Sequence, residues 1–171
     1  MIYLRIACIA ILPLAFSGEL LRYHAEWQLA EANGRLSHIL LGKQTGAAAH
    51  ASAEAAVELA KSAEYALPDD PRAWLMHGVA LMLADRGAEG LKVLQTAVDQ
   101  GERPELTLNL GRARFSQGDE AGANAAYLRT AWASPSAIAT LPKPMQESLR
   151  AQVAELEEDL RAGRLKAPPP L

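Results

Sequence analysis

The side chains able to do chemistry in this 171-residue chain fall into short groups, and each group stops short of a complete reaction centre. Gly42-Lys43-Gln44-Thr45 carries the Gly-Lys and the Thr of a phosphate loop. That chemistry needs the amine and hydroxyl on adjacent residues, with a second glycine five positions earlier so that backbone amides can curl around the anion. Here Gln44 separates Lys43 from Thr45 and position 37 is Ser, so Gly42 reads as a helix C-cap instead. His24-Ala25-Glu26 has the H-x-E spacing of zinc deaminases, but no P-C-x-x-C follows to complete the metal site. His24, His38, His50 and His77 lie on separate segments without carboxylate spacing for a metal, and His77 is expected to pack at a helix interface. Neither H-E-x-x-H nor G-x-S-x-G occurs. Cys8, the single cysteine, lies near the start of an apolar run rather than after it, where a lipid acceptor belongs, and it makes no disulfide scaffold. Glu155, Glu157, Glu158 and Asp159 form an acidic cluster that either attracts a basic partner or is a solvated face. These groups point away from an enzyme, a metal and a cofactor.

Seventeen Lys and Arg against 20 Asp and Glu leave no basic excess for phosphate neutralisation, which argues against nucleic-acid binding. Half of the residues are hydrophobic but only 5% are aromatic, and alanine and leucine dominate, which favours helix over sheet. One all-α protein is the expectation.

Residues 2–16 are almost wholly apolar, interrupted by Arg5. Fifteen residues make about 22 Å of helix, short of the roughly 30 Å hydrocarbon core. The segment therefore reads as a signal peptide, with Ala15 and Ser17 as the small residues before cleavage at Gly18, or as an uncleaved signal-anchor extended by Leu20 and Leu21. In both cases Arg5 is held inside, and the rest faces the periplasm from the inner membrane or is released there.

Beyond it the chain divides into helix-length pieces. Residues 19–32 carry Leu20, Leu21, His24, Trp27 and Leu29, and Asn33-Gly34 reads as a stop; a second piece runs from Arg35 to Leu41. Ser52 is expected to cap an alanine-rich helix reaching Leu67, with Ala56, Ala60 and Ala63 giving a smooth face for close packing. Asp70 before Pro71 is a start signal, because the carboxylate accepts free amide hydrogens while proline takes the first helical position.

From Pro71 the sequence repeats itself: Pro71-Arg72-Ala73-Trp74-Leu75-Met76-His77-Gly78 recurs as Pro104-Glu105-Leu106-Thr107-Leu108-Asn109-Leu110-Gly111, 33 residues later. This resembles the tetratricopeptide (TPR) repeat. Trp74, Gly78, Leu81, Gly90, Leu94 and Ala97 match its first copy, and Leu110, Gly111, Gly118, Ala123, Tyr127 and Pro135 its second, while His77, Glu102, Thr107 and Arg114 depart from it. The reading divides the chain into residues 1–17 (signal or anchor), 18–70 (N-terminal helices, a degenerate repeat), 71–135 (two repeats), 136–163 (a capping helix from about Pro144 to Ala162) and 164–171 (a disordered or extended proline-rich tail).

The resemblance implies a short right-handed array of helical hairpins in which the first helix of each pair lines a groove. It puts Arg72, Leu75, Val79, Met82 and Leu83 beside Glu105, Leu108, Asn109, Arg112 and Phe115. The occupant is either the chain's own helix around Leu20–Leu29 or an external peptide or helix, with Asn109 and Arg112 placed to meet a carboxylate. In layout the chain is similar to small single-anchor bacterial envelope TPR proteins such as exopolysaccharide-machinery accessory proteins. The expected function is a non-enzymatic adaptor for an envelope protein, or alternatively a structural subunit of a membrane complex held by its N-terminal helix.

Overall fold

The computed structural model describes the backbone of residues 2–171 and the side chains of residues 18–171. Among the described residues the structure is all-α and repeat-like: α1 (Ile2–Leu40), α2 (Gly46–Ala66), α3 (Pro71–Leu83), α4 (Gly87–Gln100), α5 (Pro104–Ser116), α6 (Glu120–Ala133), a 3-10 turn (Ala137–Thr140) and α7 (Lys143–Arg161). Consecutive helices pair as α1/α2, α3/α4 and α5/α6, and the first helix of each pair also touches the first of the next.

The 33-residue shift is visible in the backbone. Pro71 and Pro104 each take the first turn of a helix, where a missing N–H costs nothing. Gly78 and Gly111 sit where the partner helix comes closest: a Cβ on Gly78 would meet Leu94 at 2.5 Å, and one on Gly111 would meet the Tyr127 ring at 2.6 Å. Asp85 and Gly118 both adopt left-handed backbone, φ 60° and 82°, in the turns that join α3 to α4 and α5 to α6. Glycine takes that conformation freely, whereas Asp85 does so against its Cβ.

Two expected boundaries are corrected. Asn33-Gly34 does not stop α1, which continues to Leu40 and ends at Gly42 (φ 68°) with the Gly42 and Lys43 amides donating to the carbonyls of Ile39 and His38. A glycine in a helix costs about 1 kcal/mol. Packing overrides it, since Ala32 and Leu36 are buried against Ala53, Ala56 and Val57 of α2 while Gly34 faces open space. Likewise Ser52 is no cap; α2 begins at Gly46 and buries Ser52, because the alanines upstream extend the helix.

Asp70 caps α3 as expected, accepting the Arg72 amide at 2.9 Å. α7 lies within one residue of its expected bounds and covers the end of the α5/α6 pair by burying Leu149 against Leu108, Tyr127, Ile138 and Leu141. The 3-10 turn was not anticipated; its Ile138 is fully buried between α5, α6 and α7.

Candidate interaction surface

The row formed by α1, α3 and α5 holds the groove residues, but the fold uses them in different ways. On α3, Leu75 and Met82 are half-buried against Leu94, Val98, Leu106 and Leu110, whereas Val79 and Leu83 pack toward Leu36 and Val57. α3 is thus wedged between its neighbours, and these four side chains belong mainly to the interior. Leu108 is buried beneath the 3-10 turn and α7. Phe115, at the far end of α5, is 55% exposed. No continuous apolar trough joins them.

The polar members are held by the fold as well. Arg72 bonds Asp70 and Glu26, both at 2.6 Å, and so ties the start of α3 to α1. The guanidinium holds the Asp70 carboxyl below the ordinary carboxylate range, against burial acting the other way. Asn109 donates to the Glu105 carbonyl at 2.8 Å and accepts from Arg112 at 3.2 Å. Arg112 also donates to Thr140 at 2.5 Å, which pins the 3-10 turn to α5. Its charge opposes, without cancelling, the rise that burial imposes on the Tyr127 phenol. Asn109 and Arg112 therefore stand together, engaged with one another.

A cluster of exposed apolar side chains lies on α1. Leu20, Leu21, Tyr23 and Trp27 are all more than half exposed, with the His24 ring stacked on Trp27 at 5.8 Å. Behind them Ala25, Gln28, Leu29 and Ala32 face the array, and Gln28 donates to Ser62 of α2. By helical spacing Leu20, Tyr23 and Trp27 lie away from Ala25, Leu29 and Ala32, and the face with the small residues goes inward, where the alanine face of α2 allows close approach. α1 lies beside α2 and α3, and does not lie across α5. The weight of small residues at positions 25 and 32 was the signal for this choice.

Next to this helix, the α2–α3 and α4–α5 turns border an open cleft lined by Arg22, Asp69, Asp70, Arg72, Arg103 and Glu105, in which the charges offset one another. The histidines do not converge. His77 is buried with its Nδ1 2.6 Å from Glu64, at the α2–α3 interface, while His50 lies at the surface 3.9 Å from Asp85. Among the described residues no set of three His, Cys, Asp or Glu side chains is arranged to hold a metal ion. In the acidic stretch of α7, Glu157 pairs with Arg161 and Asp159 with Arg164.

No family model, curated protein or solved structure matches this chain. Among the described residues no helix is long and apolar enough to cross a membrane. The targeting expectation falls on residues 2–16, whose side chains lie outside the described residues.

Proposed function

We propose that the chain is a non-enzymatic, TPR-like scaffold that holds another protein of a bacterial-type cell envelope, brought to the membrane by residues 2–16 and facing the periplasm. The observation that supports it is the recurrence, 33 residues apart, of a glycine under a large side chain: Gly78 under Leu94 and Gly111 under Tyr127. Arrays built this way bury a continuous core between repeats and leave helix faces for partners. On this reading Phe115 is the apolar contact of the groove, Arg112 and Asn109 border it, and Arg72, Leu75, Val79, Met82 and Leu108 shape it from beneath. The partner is a peptide or helix of an envelope protein; no nucleic acid, metal or cofactor takes part.

A second reading, a structural subunit kept in a membrane complex by an uncleaved N-terminal helix, is favoured by the free side chains of Leu20, Leu21, Tyr23 and Trp27, since tyrosine and tryptophan concentrate at membrane interfaces. Both readings are tested by alkaline phosphatase fused after Leu171, with the mature N-terminus identified by mass. Active reporter and an N-terminus at Gly18 support the released adaptor. Active reporter with Met1 retained supports the anchored form. An inactive fusion in the cytosol contradicts both. A photo-crosslinking residue at Phe115 or Trp27 then locates the partner on the groove or on α1.

A further inference from the structure

We propose that the face of α6 carrying Arg129 and Trp132 is a binding site for extended proline-rich segments, and that the chain's own residues 166–170 occupy it. This surface meets the α1–α3–α5 row only at Pro104 and shares none of the groove residues, so the inference stands apart from the function proposed above.

The turn after α7 aims the tail. Gly163 adopts φ 71°, its amide donates to the Leu160 carbonyl at 3.0 Å, and the Arg164 amide donates to the Asp159 carbonyl at 2.8 Å. The Arg164 guanidinium also grips the Asp159 carboxylate at 2.6 Å, so the chain reverses at a fixed point. Lys166-Ala167-Pro168-Pro169-Pro170 follows. Prolines have no N–H for a helix or sheet, favour the extended polyproline conformation, and leave their carbonyls free to accept.

This run does not float. Pro169 is buried between the exposed Pro168 and Pro170. Its carbonyl accepts from Arg129 Nη1 at 3.1 Å. Arg129 is fixed independently, because Glu102 takes its Nε and Nη2 at 2.5 and 2.6 Å. Trp132 lies three residues along α6, hence on the same face. It borders two clefts, one shared with Pro104, Ala133 and Pro168 and the other with Leu160 and Arg161 of α7. An aromatic wall flanked by furrows, with a rigid donor aimed at a backbone carbonyl, is the arrangement by which proline-rich segments are recognised. A tail on a short tether has an effective concentration near the millimolar range, so an outside segment must displace it.

The test uses the full chain. Replacing Pro168→Gly and Pro169→Gly together releases the tail without touching the helices. A labelled peptide with the sequence of residues 166–171 is titrated to millimolar concentration, followed by fluorescence anisotropy and by the indole N–H resonance of Trp132. The released chain should bind the peptide at least ~10-fold more tightly than the unaltered chain, as expected when the competent state rises from about a tenth of the population or less. The indole resonance should shift on release and return toward its original position with peptide. Trp132→Ala in the released background should abolish binding, and Arg129→Gln should weaken it and serve as the second check if Trp132→Ala perturbs α6. Equal binding by released and unaltered chains, or a Trp132 resonance that ignores the release, would overturn the proposal.

Discussion

On α6 the Tyr127 ring lies against Gly111 so closely that a single added Cβ would come within 2.6 Å of it, whereas on α1 Trp27 stands 53% exposed with only the His24 ring stacked on it. Their neighbours differ: α2 is alanine-rich, whereas α5 offers α6 a single glycine, Gly111, at the point of approach. In the α5/α6 pair a large side chain fills the space left by a glycine. In the α1/α2 pair Ala25, Leu29, Ala32 and Leu36 meet the alanine face of α2, and the aromatic side chains of α1 are left outside. Which face of a helix goes inward thus depends on what its partner offers, and bulk alone does not decide it.

Breaking the filled contact should have the largest effect. Tyr127→Ala removes a buried ring and is expected to cost about 4 kcal/mol in unfolding free energy, measured by urea denaturation. Gly111→Val attacks the same contact from the other side; its side chain cannot coexist with the ring, and a loss of about 2–3 kcal/mol is expected by the same measurement. A gain in stability from either would show that the α5/α6 approach is looser than described.

The start of α3 gives an intermediate effect with a pH signature. Asp70→Ala removes the cap and should cost about 1 kcal/mol at neutral pH. Because Arg72 lowers the Asp70 pKa in the folded state, this contribution is fully present above the unfolded carboxylate value, near 4, and is lost as pH falls through the lower folded value. The stabilities of Asp70→Ala and the unaltered chain should therefore converge under acid; a constant gap would contradict the assignment. The smallest change sharpens the repeat itself. Asp85→Gly places at the α3–α4 turn the residue that the α5–α6 turn already has at Gly118, and should stabilise by about 0.5 kcal/mol.

Much of the array was legible because its signals are local. Pro71, Pro104 and the Asp70 cap mark helix starts through backbone chemistry, and Gly78 and Gly111 mark close approaches through their recurrence. The errors arose where tertiary packing overrides local preference. Gly34 has a helix-stopping residue's propensity but sits on the open side of a helix held by Ala32 and Leu36. The groove was mapped from the resemblance alone, which carries no information about the 3-10 turn that covers Leu108 and draws Arg112 to Thr140. Pro169 was read as part of a disordered or extended tail, with no contact assigned to it, because its partner Arg129 lies 40 residues away in the chain.

The comparison between α1 and α6 is tested most directly by thermal unfolding of two variants side by side, Leu20→Ser with Trp27→Ser on α1, and Tyr127→Ala on α6. For a chain of this size about 1 kcal/mol moves Tm by roughly 2–4 °C. The α1 double variant should melt within about 2 °C of the unaltered chain, since it gives up little beyond the exposed His24–Trp27 stack, while Tyr127→Ala should melt about 10 °C lower. Comparable losses in the two variants would show that the outer face of α1 is part of the fold's interior, and would contradict the account.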